Sequence, residues 1–118
     1  TKKEKPNQYG VAEIKKDKVV KLIEKPKKPK SNFVATGLYF FDENAFNYSK
    51  KIKPSSRGEY EITDLNNEYI KKKNCYFLVL SARDQWFDLG KIHSLYECSL
   101  FLKNKMKKLN NYFNFGKY

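Results

Sequence analysis

Nearly all the side chains able to do chemistry in this chain are ionic. One histidine, His93, sits near a helix start and reads as a capping or surface residue, and no serine–histidine–aspartate or cysteine–histidine arrangement is legible. Cys75 and Cys98 lie 23 positions apart with no second pair and no histidine cluster, which excludes a disulfide framework and a structural zinc site. No glycine-rich loop of the kind that cradles a triphosphate is present. What remains is 25 Lys+Arg against 13 Asp+Glu. Only Arg57 and Arg83 are arginines. In so lysine-biased a chain, Arg57, just before Gly58 on an exposed turn, reads as retained for something that a lysine ammonium cannot supply. Gly37, inside an otherwise bulky run, points to close approach of a ligand or of backbone. Tyr39, two residues on, shares its face, with core packing as the alternative role.

The net charge of +12 and the pI of about 9.6 have a plain explanation as well as a functional one. The lysines are dispersed in short runs, such as Lys71-Lys72-Lys73 and Lys107-Lys108, that punctuate turns and helix ends. That pattern describes a solvated basic surface, with a polyanion-binding face as the alternative. Against nucleic-acid recognition, no helix-turn-helix, zinc-finger or aromatic RNA-binding motif occurs, and the scarcity of arginine removes the best base-reading side chain. Apolar runs such as Leu38-Tyr39-Phe40-Phe41 fall far short of the ~18 residues of a membrane span. A chain of 118 residues with 40% hydrophobic and 16% aromatic content is one domain or part of one, and disorder is not the default. The first residue is Thr1, so the chain reads as a piece of something longer, and the cysteine usage fits a reduced, cytoplasmic setting.

The elements that must carry these residues follow from periodicity. Residues Tyr9–Ile14 and Val19–Glu24 read as an antiparallel hairpin around a polar loop. Pro26 and Pro29 end the second strand. Asn32–Phe41 reads as a strand buried on both faces, and Cys75–Leu80 as another short strand. Asp42 is placed to cap a helix over about 43–52, which Pro54 stops. A second helix is expected over about 60–72, with Ile62, Leu65, Tyr69 and Ile70 at helical spacing and lysines in its last turn. A third runs over about 92–109, with Leu95, Leu102, Met106 and Leu109 as its buried stripe. Residues 110–118 have no clear period and read as a tail, flexible unless it docks on a partner surface. This order predicts an α/β domain with a mixed sheet, an antiparallel hairpin and flanking helices.

Five short blocks occur in a telling order: Tyr9-Gly10-Val11, Ile23-Glu24-Lys25-Pro26, Thr36-Gly37-Leu38-Tyr39-Phe40-Phe41-Asp42, Arg57-Gly58-Glu59-Tyr60-Glu61-Ile62-Thr63-Asp64, and Trp86-Phe87-Asp88-Leu89-Gly90. Together they resemble the C-terminal half of the sugar-1-phosphate nucleotidylyltransferases, and the arginine block is most like that of glucose-1-phosphate thymidylyltransferases. The resemblance implies a Rossmann-like domain whose N-terminal, nucleotide-binding half is missing. It implies a Mg²⁺-dependent reaction of glucose 1-phosphate with dTTP, giving dTDP-glucose and pyrophosphate in nucleotide-sugar biosynthesis. Such a reaction needs no general base, because the nucleophile is already an ionised phosphate oxygen. The same resemblance implies that Lys25 and Arg57 contact the sugar phosphate, that Glu24 accepts hydrogen bonds from sugar hydroxyls, and that Tyr9, Gly10, Gly37 and Tyr39 line the sugar site. It implies that Asp88 ligates the metal, and that the complete enzyme is a homo-oligomer, a tetramer. The isolated chain is then expected to be inactive.

Departures flank Asp88. Leu89 stands where the family usually has threonine, and Ser81-Ala82-Arg83-Asp84-Gln85 replaces its usual Gly-Arg-Gly stretch. The alternatives are a uridylyl- or other nucleotidyl-transferring relative, and a basic, non-catalytic module for oligomerisation or polyanion binding.

Overall fold

The computed structural model describes residues 1–81 and 83–112, and it resolves into two compact units, residues 1–83 and 84–118, each described by itself. The expected tail lies, from residue 113 on, outside the described residues.

The first unit is built on a hairpin. Strand β1 (Gly10–Lys15) pairs antiparallel with β2 (Lys18–Glu24), Gly10 facing Glu24 and Lys15 facing Lys18. The loop is therefore shorter than the sequence pattern indicates. Lys16 and Asp17 both take left-handed backbone, φ 46° and 59°, the twist that a two-residue turn needs to match the strands. The register slips between Glu13 and Ile14, where a bulge leaves Val20 without a partner on β1.

Helix α1 (Asn44–Ser49) is shorter than expected, and α2 (Ile62–Lys71) falls where expected. Glu43, not Asp42, stands at the N-cap of α1, and the Asp42 carboxylate, one residue earlier, accepts the Asn44 amide at 3.1 Å. Leu65 and Tyr69 of α2 are buried together with Val11, Leu22 and Val34. Asn67 also locks α2 to the hairpin: its amide donates to the Leu22 carbonyl at 2.8 Å and accepts the Leu22 N–H at 2.9 Å. One side chain thus satisfies both backbone groups on the free edge of β2, as a neighbouring strand would. A ring series, Tyr39 to Phe41 (6.0 Å), Phe41 to Tyr69 (5.4 Å) and Tyr69 to Tyr48 (4.9 Å), ties the segment after Gly37 to both helices.

The expected mixed sheet is reduced, among the described residues, to these two strands. The run Asn32–Phe41 reaches β1 only near Phe33 and Val34: the Ala12 amide donates to the Phe33 carbonyl at 2.9 Å, and the Ala35 amide to the Gly10 carbonyl at 2.8 Å. At Gly37 the backbone turns left-handed, φ 85°, and leaves the hairpin. The run Cys75–Leu80 forms no strand either, and Leu38, Phe40, Tyr76 and Leu78 are 73–91% exposed instead of buried. The reason is simple: a strand buried on both faces exists only where further chain supplies its ladder and its cover.

In the second unit, α3 (Ile92–Tyr112) follows the Asp88 turn. The stripe expected to be buried is exposed at Leu95, Leu102 and Met106, and the fourth member, Leu109, has its side chain outside those described. The ring contact of Phe87 with Phe101, 5.5 Å between centroids, is made instead. No helix among the described residues is long and apolar enough to cross a membrane.

Candidate functional site

Most of the residues singled out from sequence converge at the end of β2. Pairing of Gly10 with Glu24 puts the start of β1 beside the last residue of β2, and the Lys25 amide continues the ladder by donating to the Tyr9 carbonyl at 3.0 Å. The Glu24 carboxylate is half-buried and lies 4.0 Å from the Arg57 guanidinium, across 33 positions of sequence. Burial, reinforced by the nearby Glu61 carboxylate, pushes the Glu24 carboxyl above its ordinary range, while Lys25 and Arg57 pull the other way. Tyr39 is half-buried, and its phenol is raised by burial and by the Glu24 charge.

Lys25 has an exposed side chain and a left-handed backbone, φ 38°, immediately before Pro26. Both features oppose ordinary preference, since non-glycine residues avoid positive φ and a residue before proline is steered toward extended backbone. A conformation of this kind costs of order 1–3 kcal/mol and persists where the surroundings enforce it, commonly at functional sites.

The glycines divide by cause. Beside Gly10, a Cβ would sit 2.9 Å from the Thr63 methyl and 3.2 Å from a Glu24 carboxylate oxygen, so the space is already filled by α2 and by the site itself. Gly37 has open space around it and is glycine because of its φ of 85°.

Sequence reasoning named Arg57 but passed over the residues that hold it. Its guanidinium donates to Glu61 at 3.1 Å and to Glu59 at 2.8 Å, and the Ser55 hydroxyl donates to the same Glu61 oxygen at 2.8 Å. The signal was present in the block Arg57-Gly58-Glu59-Tyr60-Glu61, where carboxylates follow the arginine at two and four positions. Thr63, 2% exposed against Gly10, was also unmarked.

Asp88 lies in the second unit. One of its carboxylate oxygens accepts the Gly90 amide at 3.1 Å, shaping the turn before α3. No cluster of three metal-ligating side chains occurs among the described residues. His93 is exposed and pairs with Glu97 one helical turn on, at 3.4 Å, consistent with a surface residue.

The end of the hairpin thus carries an exposed lysine and a half-buried carboxylate beside an arginine that two further carboxylates brace, so two cations and three carboxylates meet there. The family model described as nucleotidyl transferase matches residues 1–105. This chain belongs to the nucleotidyl transferase family. Its hairpin and helices correspond to part of the Rossmann-like α/β fold of that family. A structure from Bacillus anthracis, assigned as a glucose-1-phosphate thymidylyltransferase in complex with a sucrose, superimposes with a TM-score of 0.76 at 38% identity, covering 98% of this chain and 43% of that one. Among curated nucleotidyl transferase relatives, the glucose-1-phosphate thymidylyltransferase of Xanthomonas campestris pv. campestris (strain B100) is 44% identical over 99 residues, 83% of this chain and 34% of that protein. That of Mycolicibacterium smegmatis is 41% identical over the same length. A bifunctional protein GlmU of Methanococcus aeolicus is 34% identical over 103 residues. The chain therefore spans about a third of the length of the thymidylyltransferases it matches.

Proposed function

We propose that these residues form the C-terminal, sugar-phosphate-binding part of a glucose-1-phosphate thymidylyltransferase. The observation that carries the reading is the meeting of Glu24, Lys25 and Arg57 at the end of β2 in a chain 44% identical to such an enzyme. In the complete enzyme, a phosphate oxygen of glucose 1-phosphate attacks the α-phosphorus of dTTP, the bond to the β-phosphate oxygen breaks, and dTDP-glucose and pyrophosphate result. Lys25 and Arg57 neutralise and orient the sugar phosphate, and Glu24 accepts from the sugar hydroxyls. Tyr9, Gly10, Gly37 and Tyr39 line the sugar side.

The family generally uses a divalent metal, and we assign Mg²⁺ to that role here. Asp88 offers one hard oxygen donor, and Mg²⁺ is usually held by one or two carboxylates with substrate phosphates and waters. Such an ion would supply charge neutralisation on the phosphates. A nucleotide-binding half with a glycine-rich loop completes the site, and its strands would cover the exposed faces of residues 38–41 and 75–80. The complete enzyme is a cytoplasmic homotetramer, and the isolated chain is inactive.

In the complete enzyme, Lys25→Ala should depress use of glucose 1-phosphate strongly, by ~10- to 100-fold for loss of a charged contact, with dTTP binding nearly intact. Equal loss of both defeats the role given to Lys25. Pyrophosphate release from dTTP and glucose 1-phosphate by the 118-residue chain alone would defeat the missing half. A preference for UTP over dTTP would transfer the reading to a uridylyl-transferring relative.

A further inference from the structure

Three carboxylates surround Arg57, and they differ in how firmly they are held. Glu61 is 8% exposed and is the best anchored. One of its oxygens accepts from both Arg57 and the Ser55 hydroxyl, at 3.1 and 2.8 Å, and its backbone carbonyl accepts the Asp64 amide in the first turn of α2. Ser55 is itself fixed: its amide donates to the Glu59 carbonyl at 2.9 Å, its carbonyl accepts the Gly58 amide at 2.9 Å, and its hydroxyl oxygen accepts the Arg57 amide at 3.1 Å. The Glu59 carboxylate has none of this bracing. Its side chain is 59% exposed, and it reaches the other guanidinium nitrogen of Arg57 at 2.8 Å from the solvent side. Glu24 stands behind at 4.0 Å.

These differences imply opposite roles. A carboxylate that shares its oxygen with a braced hydroxyl fixes where the guanidinium sits, and side-chain freedom is removed before any ligand arrives. An exposed carboxylate on the outer guanidinium nitrogen makes a weak ion pair, easily exchanged for a better anion. It is chemically the same kind of acceptor as a phosphate oxygen, and it occupies the donors that a phosphate would use.

We propose that Glu61, braced by Ser55, is the positioning residue for Arg57, and that Glu59 is a built-in placeholder that an incoming sugar phosphate must displace. The two carboxylates then act on phosphate affinity with opposite sign. This rests on reading Arg57 as a sugar-phosphate contact, and it adds how that contact is prepared and guarded.

The test is a titration of the complete enzyme with glucose 1-phosphate, followed by NMR on the Arg57 Nε–H signal, for the wild type, Glu59→Gln, Glu61→Gln and Ser55→Ala. Glu59→Gln should tighten binding roughly 2- to 5-fold, the range of an exposed ion pair. Glu61→Gln should weaken it about 10-fold, although it too deletes a negative charge that repels phosphate. Ser55→Ala should weaken it a few-fold with no change of charge, and it stands in if Glu61→Gln fails to fold. In the unliganded chain, the Arg57 side-chain N–H groups should exchange faster in Glu61→Gln. Tightening by both Glu→Gln variants would mean simple charge repulsion and would overturn the proposal, as would wild-type affinity in all three. If glucose 1-phosphate leaves the wild-type Arg57 signal unmoved, the sugar-phosphate reading itself fails and this inference falls with it.

Discussion

The contact between Gly10 and Thr63 offers a stringent check on the packing that assembles the site. A Cβ at position 10 would lie 2.9 Å from the Thr63 methyl carbon, about 0.6–1.1 Å inside the 3.5–4.0 Å optimum for two carbons. Thr63 is 2% exposed and is anchored on α2, so it has no room to retreat. Gly10 is not among the glycines with left-handed backbone, so alanine there meets only the steric obstacle. Overpacking of this kind costs roughly 1–3 kcal/mol, offset by about 0.4–1 kcal/mol from the stiffer unfolded chain. With the middle of each range, Gly10→Ala should therefore lose about 1.3 kcal/mol. Thr63→Ser deletes the obstructing methyl and should itself cost about 1 kcal/mol as a small void. Combined, the two changes move one methyl group across the β1–α2 contact, and the double variant should recover at least about 1 kcal/mol relative to the sum of the singles. Urea denaturation at pH 7, followed through the amide signals of β1 and β2, measures all four corners of the cycle. Wild-type stability in Gly10→Ala, or strict additivity in the double variant, would refute the reasoning.

Other consequences follow from the same geometry. Because burial and Glu61 raise the Glu24 carboxyl, its charged form costs stability at neutral pH, and that cost is relieved as pH falls through its folded value. Glu24→Gln should equal or exceed the wild type in stability at pH 7 and lose this gain on acidification, as urea midpoints at pH 5 and 7 would record; in the complete enzyme it should still impair sugar-phosphate use. Lys25→Gly should relax the left-handed backbone and raise stability by up to about 1 kcal/mol, while removing the ammonium and with it glucose 1-phosphate use. The Tyr69 hydroxyl donates to Asp42 at 2.6 Å, the largest influence lowering that carboxyl, while burial, then Asp42, pushes the phenol to about 12. The lowered Asp42 stabilises the fold at neutral pH, and this is lost as pH falls through its folded value. Tyr69→Phe should move the Asp42 titration, followed by NMR, upward toward the ordinary carboxylate range; an unmoved titration would deny the bond its role.

Much of the local structure was legible without coordinates, because it depends on neighbours in sequence. Alternation of apolar residues and the prolines at 26 and 29 delimited the hairpin, and the spacing of Leu65 and Tyr69 marked α2. Chemical type and order of the five blocks likewise brought Glu24, Lys25 and Arg57 to attention. Tertiary structure alone decided what depends on partners distant in the chain. The bracing of Arg57 by Glu61 and Ser55 needed the loop before α2 to close, and the Gly10–Thr63 contact needed α2 to dock on the hairpin across 53 positions. The runs 32–41 and 75–80 carry strand-like composition, yet composition expresses only a preference for a pleated, covered environment. Whether a strand forms depends on another backbone being there to pair with, and among the described residues β1 provides this only as far as Phe33 and Val34.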